Sequence, residues 1–403
     1  MSLDKKNLYR FPWSLNDNPI GWLEITDRCN LHCKGCYRKE FEGHKPLEQI
    51  KEEILFLKKW RNCDNISIAG GEPLIHPQIN EIVEFIFRNK MKSFILTNGI
   101  TLNEPTLLDL KKSHLFGLGL HVDCQQERPG WEGKDELELC ELRQEYADLI
   151  KKVGGLTTTF GITVYKENFN FIPDLVRWSL KNTKVIQGLV FIAYRAAILR
   201  PGMEYTVNGQ KLKLDQKTLG YTTDDAPEDI KIKSNDIYEI IKKHFPQYEA
   251  SAYLGGTQDH SSFKWLIGFL IGTEDEILGS MGKKGMEYVQ TLHHLFYKSY
   301  VVYLENHSGG KKFFLLSLVD PEVRKAFFKF MKNPLRLFSG NAFGLSIGII
   351  QAPDLLPDGR VDMCDSCPDM CYFKGKLVNS CRLDEYRKFG DLITPVPNSN
   401  EKG

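Results

Sequence analysis

Apolar runs alternate with stretches of helical period through the first half of the chain. IGWLEIT at 20–26 reads as a short buried strand. LEQIKEEILFLKKW at 47–60 then places Leu47, Ile50, Ile54 and Leu57 at helical spacing. The alternation continues with a strand at 65–69 (NISIA), a helix over 77–89, a strand at 93–97 (SFILT) and a short helix over 104–112. It closes with a strand at 116–123 (FGLGLHVD), a charged helix over 135–152, a β-branched strand at 156–165, a helix over 171–182 and a strand at 185–194. Strict strand-then-helix order implies parallel strands joined by right-handed crossovers. The cysteine-rich loop after the first strand, GGEP after the second, TNG after the third and HVD at the end of the fourth should therefore meet at the C-terminal strand ends, where such folds carry their sites.

Beyond Arg195 the pattern changes. Residues 200–235 are polar and turn-rich and predict a hairpin or loop. From 235 to 345 the spacing predicts helices over NDIYEIIKKHF, SSFKWLIGFLIG, GMEYVQTLHHLFYKSYVVYLE and PEVRKAFFKFMKN, with KKFFLLSLV at 311–319 as a candidate strand. This divides the chain into an α/β unit at 1–199, a mostly helical insertion at 200–349 that covers the site as a lid, and a cysteine-rich extension at 350–403. The terminal TPVPNSNEKG reads as disordered.

Composition narrows the function. The chain has 403 residues, 42% apolar and 26% charged, as in ordinary globular enzymes. A net charge of +1 provides no field for nucleic acid. The start, MSLDKKNLYRFPW, has no apolar core of a signal peptide. The longest apolar run, FKWLIGFLIG, has ten residues, against roughly 20 for a spanning helix. The expectation is a soluble cytoplasmic protein, with contact at a membrane surface left open.

Cysteine placement carries the chemistry. Three of the ten cysteines, Cys29, Cys33 and Cys36, lie in CNLHCKGC, and four, Cys364, Cys367, Cys371 and Cys381, lie near the other end. Such clustering argues for metal ligation over disulfides, while Cys63, Cys124 and Cys140 read as inert thiols. A structural zinc site is closed by four protein ligands. Three thiolates in one loop suit a cubane iron–sulfur cluster with one iron left to a non-protein ligand.

CX3CX2C after a strand, Gly70-Gly71-Glu72-Pro73 after the next and TNG after the third together resemble the radical S-adenosylmethionine (SAM) superfamily, over about residues 18–200. The resemblance implies a partial (β/α)6 barrel and a [4Fe–4S] cluster on Cys29, Cys33 and Cys36. It implies reductive cleavage of SAM to a 5′-deoxyadenosyl radical that takes hydrogen from an unactivated carbon. Gly70 and Gly71 would let the backbone approach the ligand. Glu72, or the neighbouring carbonyls, would meet the SAM ammonium, with Pro73 completing the turn. Tyr37 would adjoin adenine, largely through its backbone, and Asn98 the SAM. His121 and Asp123 stand where the family often has serine and aspartate, and Thr163 and Arg195 are candidates for ribose and carboxylate. Gly35 departs from the aromatic residue common before the third cysteine, which loosens the expected adenine packing.

CX2CX3CX9C at Cys364, Cys367, Cys371 and Cys381 is similar to the auxiliary-cluster extensions called SPASM and twitch domains. It implies a second, fully ligated [4Fe–4S] cluster, with zinc as the alternative. Aromatic residues at 245–303 suggest a hydrophobic or lipid-like substrate whose bond is formed or rearranged. The alternatives are a maturase of a ribosomal peptide and, in another class, a zinc-binding structural or regulatory protein. A ferredoxin or flavodoxin is the expected low-potential electron donor. His260, His293 and His294 read as surface or core residues.

Overall fold

The computed structural model describes residues 3–38, 43–194, 199, 202–215, 218–220, 222–223, 225, 229–273, 276–303, 310–333, 342–351, 353–356 and 360–397. Its first half follows the predicted order. β1 (Tyr9–Arg10) precedes β2 (Ile20–Thr26), α1 (Leu47–Arg61), β3 (Asn65–Gly70), α2 (Ile79–Arg88), β4 (Lys92–Thr97) and α3 (Glu104–Lys112). Then come β5 (Gly117–His121), α4 (Leu139–Val153), β6 (Thr157–Val164), α5 (Ile172–Lys181) and β7 (Gly188–Ala193). Strands β2 to β7 pair in chain order and in parallel. Alternation along β2 explains its two faces. Leu23 and Ile25 join the core formed with Ile50, Ile54 and Leu57 of α1, while Trp22 and Glu24 point to the opposite, inner face.

The second half departs from its expected helical character. After the hairpin β8 (Met203–Val207) and β9 (Gln210–Leu212) come α6 (Ser234–His244), β10 (Ala250–Gly255), β11 (Phe263–Gly272), β12 (Ile277–Ser280), α7 (Lys283–Tyr297), α8 (Pro321–Met331) and β13 (Phe343–Gln351). FKWLIGFLIG, expected as a helix, is a strand. β13 pairs in parallel with β7, β11 pairs antiparallel to β13, and β10 and β1 extend the same sheet to eleven strands with β12 on its flank. Nine of the ten β11 residues are buried, so both sheet faces are covered; an apolar run of that kind carries no period to tell strand from helix. Gly268 makes room there for Tyr248, since a Cβ would lie 2.4 Å from its ring. Among the described residues the sheet stays open, with β2 at one end and β1 at the other, and closes no barrel.

KKFFLLSLV, expected as a strand, lies mostly in a 3-10 helix at Gly310–Leu318. The long helix predicted from 285 stops at Tyr297, where Lys298 turns left-handed (φ +62°). The chain then enters the inner face of the sheet. Tyr303 stacks on Phe94 with centroids 3.9 Å apart and shares a 2.8 Å hydrogen bond with Ser67 Oγ. Gly117 and Gly119 make room for the Phe94 ring, since a Cβ at either would crowd it.

The C-terminal region adds β14 (Asp354–Leu355), β15 (Val361–Asp362), β16 (Met370–Phe373), β17 (Lys376–Asn379), α9 (Leu383–Phe389) and β18 (Thr394–Pro397). TPVP, expected to be disordered, pairs antiparallel with β8. Fully buried Lys264 of β11 ties the 354–362 segment to the sheet through Asp354 at 2.8 Å and Asp362 at 3.2 Å. Among the described residues no helix is long and apolar enough to cross a membrane.

Candidate functional site

The cysteine loop leaves the C-terminal end of β2 and is held there by the neighbouring strand. Gly71 N donates to Thr26 O at 2.7 Å and Glu72 N to Arg28 O at 2.8 Å. A Cβ on Gly70 would sit 2.2 Å from Thr26 O, and one on Gly71 2.0 Å from Arg28 O. The glycines of GGEP thus admit the chain entering the cysteine loop, where the sequence suggested approach to a ligand. Glu72 is also committed. Its buried carboxylate accepts from Thr97 Oγ1 at 2.6 Å, Asn98 N at 2.7 Å and Leu74 N at 2.9 Å. Burial raises its pKa against these hydrogen bonds. Of the two candidates for the ammonium, only the neighbouring carbonyls remain free of this role. Pro73 begins the single 3-10 turn that Glu72 caps.

Asn98 lies under the loop, its Nδ2 donating to Asn30 Oδ1 at 2.7 Å and lying 3.8 Å from Cys29 Sγ. On β5 and β6, His121 Nε2 reaches Asp123 Oδ2 at 2.9 Å and Thr163 Oγ1 at 3.0 Å. Asp123 and Thr163 are buried and His121 is part-exposed. His121 and Thr163, 42 positions apart in sequence, meet because they lie at the C-terminal ends of the parallel strands β5 and β6. Arg195 lies outside the described residues.

Three residues of the site had no signal in the sequence. Buried Arg128 donates to Asn98 O at 2.6 Å and to His121 O at 2.8 Å, tying the third and fourth strand ends together. Its segment, QQERPGW, shows neither period nor motif. Tyr165, at the end of β6, accepts from Gly35 N at 3.0 Å, and a Cβ on Gly35 would lie 2.6 Å from that hydroxyl. The space an aromatic residue at 35 would need is thus filled by Tyr165, which packs 4.9 Å from Tyr194. Arg38 is the third. It is buried, paired with Glu24 on the inner face and with Asp384 at 2.9 Å, and donates to Ser380 O at 2.8 Å. Arg38 also lies over the Tyr37 ring, 4.8 Å from its centroid, and burial raises the Tyr37 phenol pKa.

The three loop thiols lie within one another's electrostatic influence. Cys29 and Cys36 are exposed and Cys33 is partly buried. Burial, then Asp123, then the other two cysteines push Cys33 up to about 12. Among the described residues no three His, Cys, Asp or Glu side chains converge as a formed metal shell. The donor set nevertheless fits a thiolate-bound cluster: three sulfurs on one loop, none in a disulfide. Such a group raises no conflict with Glu72, whose oxygens are turned to its own strand ends.

The C-terminal thiols divide differently. Cys364 and Cys367 share a hydrogen bond that raises the first and lowers the second. Cys381 lies in the field of Cys367 and Asp369. Cys371 stands apart. It is buried on β16 with Sγ 3.5 Å from Val378 O, packed among Val378, Leu383, Trp22, Phe373 and Tyr386. Within the four-cysteine set read from the sequence, Cys371 directs its sulfur to a main-chain carbonyl. The remaining cysteines take no part: Cys63 is core, and Cys124 and Cys140 border it with burial raising both. His260, His293 and His294 bond Gly256 O, Ser299 O and Asp17, respectively.

The Radical SAM superfamily model matches residues 23–178. The subtilosin biosynthesis protein AlbA of Bacillus subtilis (strain 168), named for an antilisterial bacteriocin, is 37% identical over 169 residues, 38% of this chain and 35% of AlbA. The PqqA peptide cyclase of Gluconobacter oxydans (strain 621H) is 27% identical over 173 residues, 40% of this chain and 46% of the cyclase. The crystal structure of Streptococcus suis SuiB bound to precursor peptide SuiA overlaps with a TM-score of 0.42 at 18% identity, covering 58% of this chain and 47% of SuiB. The chain spans less than half the length of these relatives. Residues 23–178, which hold the cysteine loop, GGEP and the parallel strand ends at one face, are thus the part of this chain that is similar to the Radical SAM superfamily.

Proposed function

We propose that the chain is a radical SAM enzyme that modifies a peptide. The observation carrying this reading is the pairing of Gly71 and Glu72 with Thr26 and Arg28, which presents Cys29, Cys33 and Cys36 beside GGEP at the strand ends. In this reading the three thiolates hold a [4Fe–4S] cluster, which with bound SAM supplies a hydrogen-abstracting radical. The chain's own residues do the positioning. Main-chain carbonyls beside Gly71 face the ammonium while Glu72 braces the turn. Asn98 and the His121–Asp123–Thr163 group offer polar atoms to the remainder of SAM, and Arg195 keeps its assignment to the carboxylate. Tyr165 takes the steric place left at Gly35 and shields the loop from water.

A peptide is preferred because AlbA and PqqA peptide cyclase carry bacteriocin and peptide in their names. The lipid-like reading loses part of its support, since Phe245, Tyr248, Phe263, Trp265 and Phe269 are core residues, while Phe296 and Tyr297 are exposed. A ferredoxin or flavodoxin supplies the electron. The test is anaerobic incubation of the reconstituted full chain with SAM and dithionite, followed by measurement of 5′-deoxyadenosine. Wild type should release it and Cys33→Ala should not. A mixed-sequence peptide pool should accelerate release and yield peptides of altered mass, whereas a total lipid extract should do neither. A colourless zinc protein that leaves SAM intact sinks the proposal.

A further inference from the structure

The end of the molecule opposite the candidate site carries apolar and cationic side chains that the reaction does not use. Helices α1 to α5 run back between parallel strands, so their C-terminal ends gather at the N-terminal strand ends. Side chains join these ends in series. Asn62 Nδ2, just past α1, donates to Lys298 O, just past α7, at 2.7 Å and to Asp17 Oδ1 at 3.0 Å. Lys58 Nζ donates to Asn89 O at the end of α2 at 2.7 Å. Phe87 stacks on His114, past α3, with centroids 3.8 Å apart, and Lys111 Nζ donates to Val153 O at the end of α4 at 2.8 Å.

Where α1 and α7 meet, large apolar side chains stand in solvent. Leu15, Trp60, Leu295, Phe296 and Tyr297 are all exposed, Phe296 by 72% and Tyr297 by 73%. Consecutive helix residues point about 100° apart, so three exposed in a row make the last turn of α7 project from the body. Cations surround this projection. Lys58, Lys59, Lys90, Lys111 and Lys298 are exposed at the same helix ends, with Lys59 Nζ 5.4 Å from the centroid of the Trp60 ring. The nearby carboxylates are engaged: Asp17 with His294 and Asp109 with Lys112, each at 2.9 Å, and Asp64 with Asn65 Nδ2.

Lysine at a helix C-terminus is favoured by the helix dipole. That account does not cover the exposed indole, phenol and phenyl rings beside it. Apolar tips ringed by ammonium groups match the headgroup boundary of a bilayer, where rings enter the acyl edge and lysines meet anionic headgroups. A second copy of the chain matches less well, because a two-fold interface sets this surface against itself and opposes lysine to lysine.

We propose that this end of the protein docks on an anionic membrane surface. The last turn of α7 and Trp60 enter the boundary, and Lys58, Lys59, Lys90 and Lys298 meet the headgroups. The cysteine loop, at the opposite strand ends, then faces the aqueous side.

The test is co-sedimentation of the full chain with phosphatidylcholine vesicles made with and without phosphatidylserine. The chain should bind those with phosphatidylserine at least about tenfold more tightly, and salt should weaken that binding. Phe296→Ser with Tyr297→Ser should lower it by about tenfold or more, as should the set Lys58→Glu, Lys59→Glu and Lys298→Glu. Lys213→Glu, Lys231→Glu and Lys388→Glu change net charge equally at exposed positions elsewhere and should bind as wild type. Circular dichroism checks that each variant is folded, and the lipid and salt comparisons need no variant. Equal binding to both vesicles, no binding to either, unchanged binding in the folded Phe296 and Tyr297 variant, or the same loss in the control overturns the proposal. So does a dimer in sedimentation velocity that Phe296→Ser and Tyr297→Ser abolish, which would make this surface an interface between copies. No arm depends on SAM cleavage or on the peptide reading.

Discussion

Arg38 Nη1 donates to Asp384 Oδ1 at 2.9 Å, with both side chains at most 3% exposed. This bond joins the residue two places beyond Cys36 to the residue three places beyond Cys381. The same guanidinium pairs with Glu24 and caps Ser380 O, so one side chain anchors the cysteine loop to the inner face of β2 and to the C-terminal extension. Arg387 and Asp27, paired at 2.6 Å, repeat the link one strand end away.

Removing one partner of a buried ion pair leaves an uncompensated charge, at a cost of about 3–5 kcal/mol. Arg38→Met should lower stability by that order in urea denaturation. Adding Glu24→Gln and Asp384→Asn should recover a good part of it. A destabilisation under about 1 kcal/mol would show that the network contributes little.

Gly35 and Tyr165 should behave as a pair. Gly35→Phe on its own should lower iron content and SAM binding, because its Cβ would lie 2.6 Å from the Tyr165 hydroxyl. Gly35→Phe combined with Tyr165→Ala should restore both in part. Equal defects in the single and double variants would show that Gly35 is required for another reason.

Gly71→Ala should detach the cysteine loop, since the clash at 2.0 Å is with main-chain Arg28 O and no rotamer relieves it. Iron bound at the first site should fall sharply. Gly130→Ala is the control: its φ of +80° makes it strained by roughly 1–2 kcal/mol, but its Cβ would meet nothing within 4 Å. Iron content should then stay near wild type.

Loading of the first site should depend on pH. Cys33 is pushed up to about 12 by burial first and Asp123 second, and a metal takes the thiolate, releasing the proton. Below that pKa the thiolate fraction grows as pH rises, so iron incorporation should improve from about pH 6.5 to about pH 9. Asp123→Asn removes a repelling charge, lowers the Cys33 pKa and should move the profile to lower pH. A profile unmoved by Asp123→Asn would show that this carboxylate does not act on Cys33.

The strand-helix alternation from Ile20 to Tyr194 was legible because each element there has a period and a boundary. α1 carries its apolar stripe, β6 its β-branched residues, and the turns follow the strands. FKWLIGFLIG was not legible: with both faces buried it has no polar side. Its strand identity comes from pairing with Phe343–Gln351, about 80 residues away. The site divides likewise. Cys29, Cys33 and Cys36 declare themselves by spacing, and GGEP by its company. Arg128 and Tyr165 do not, because their roles lie in main-chain atoms they reach across strand ends.

Local spacing determined which residues carry the chemistry and that parallel strand ends gather them, since both follow from short-range periodicity and chain handedness. Only the tertiary structure decided what each residue faces. Glu72 turned to Thr97 and Asn98, Cys371 to Val378, and Arg38 to Asp384, because orientation is set by packing and desolvation among segments that sequence distance does not relate.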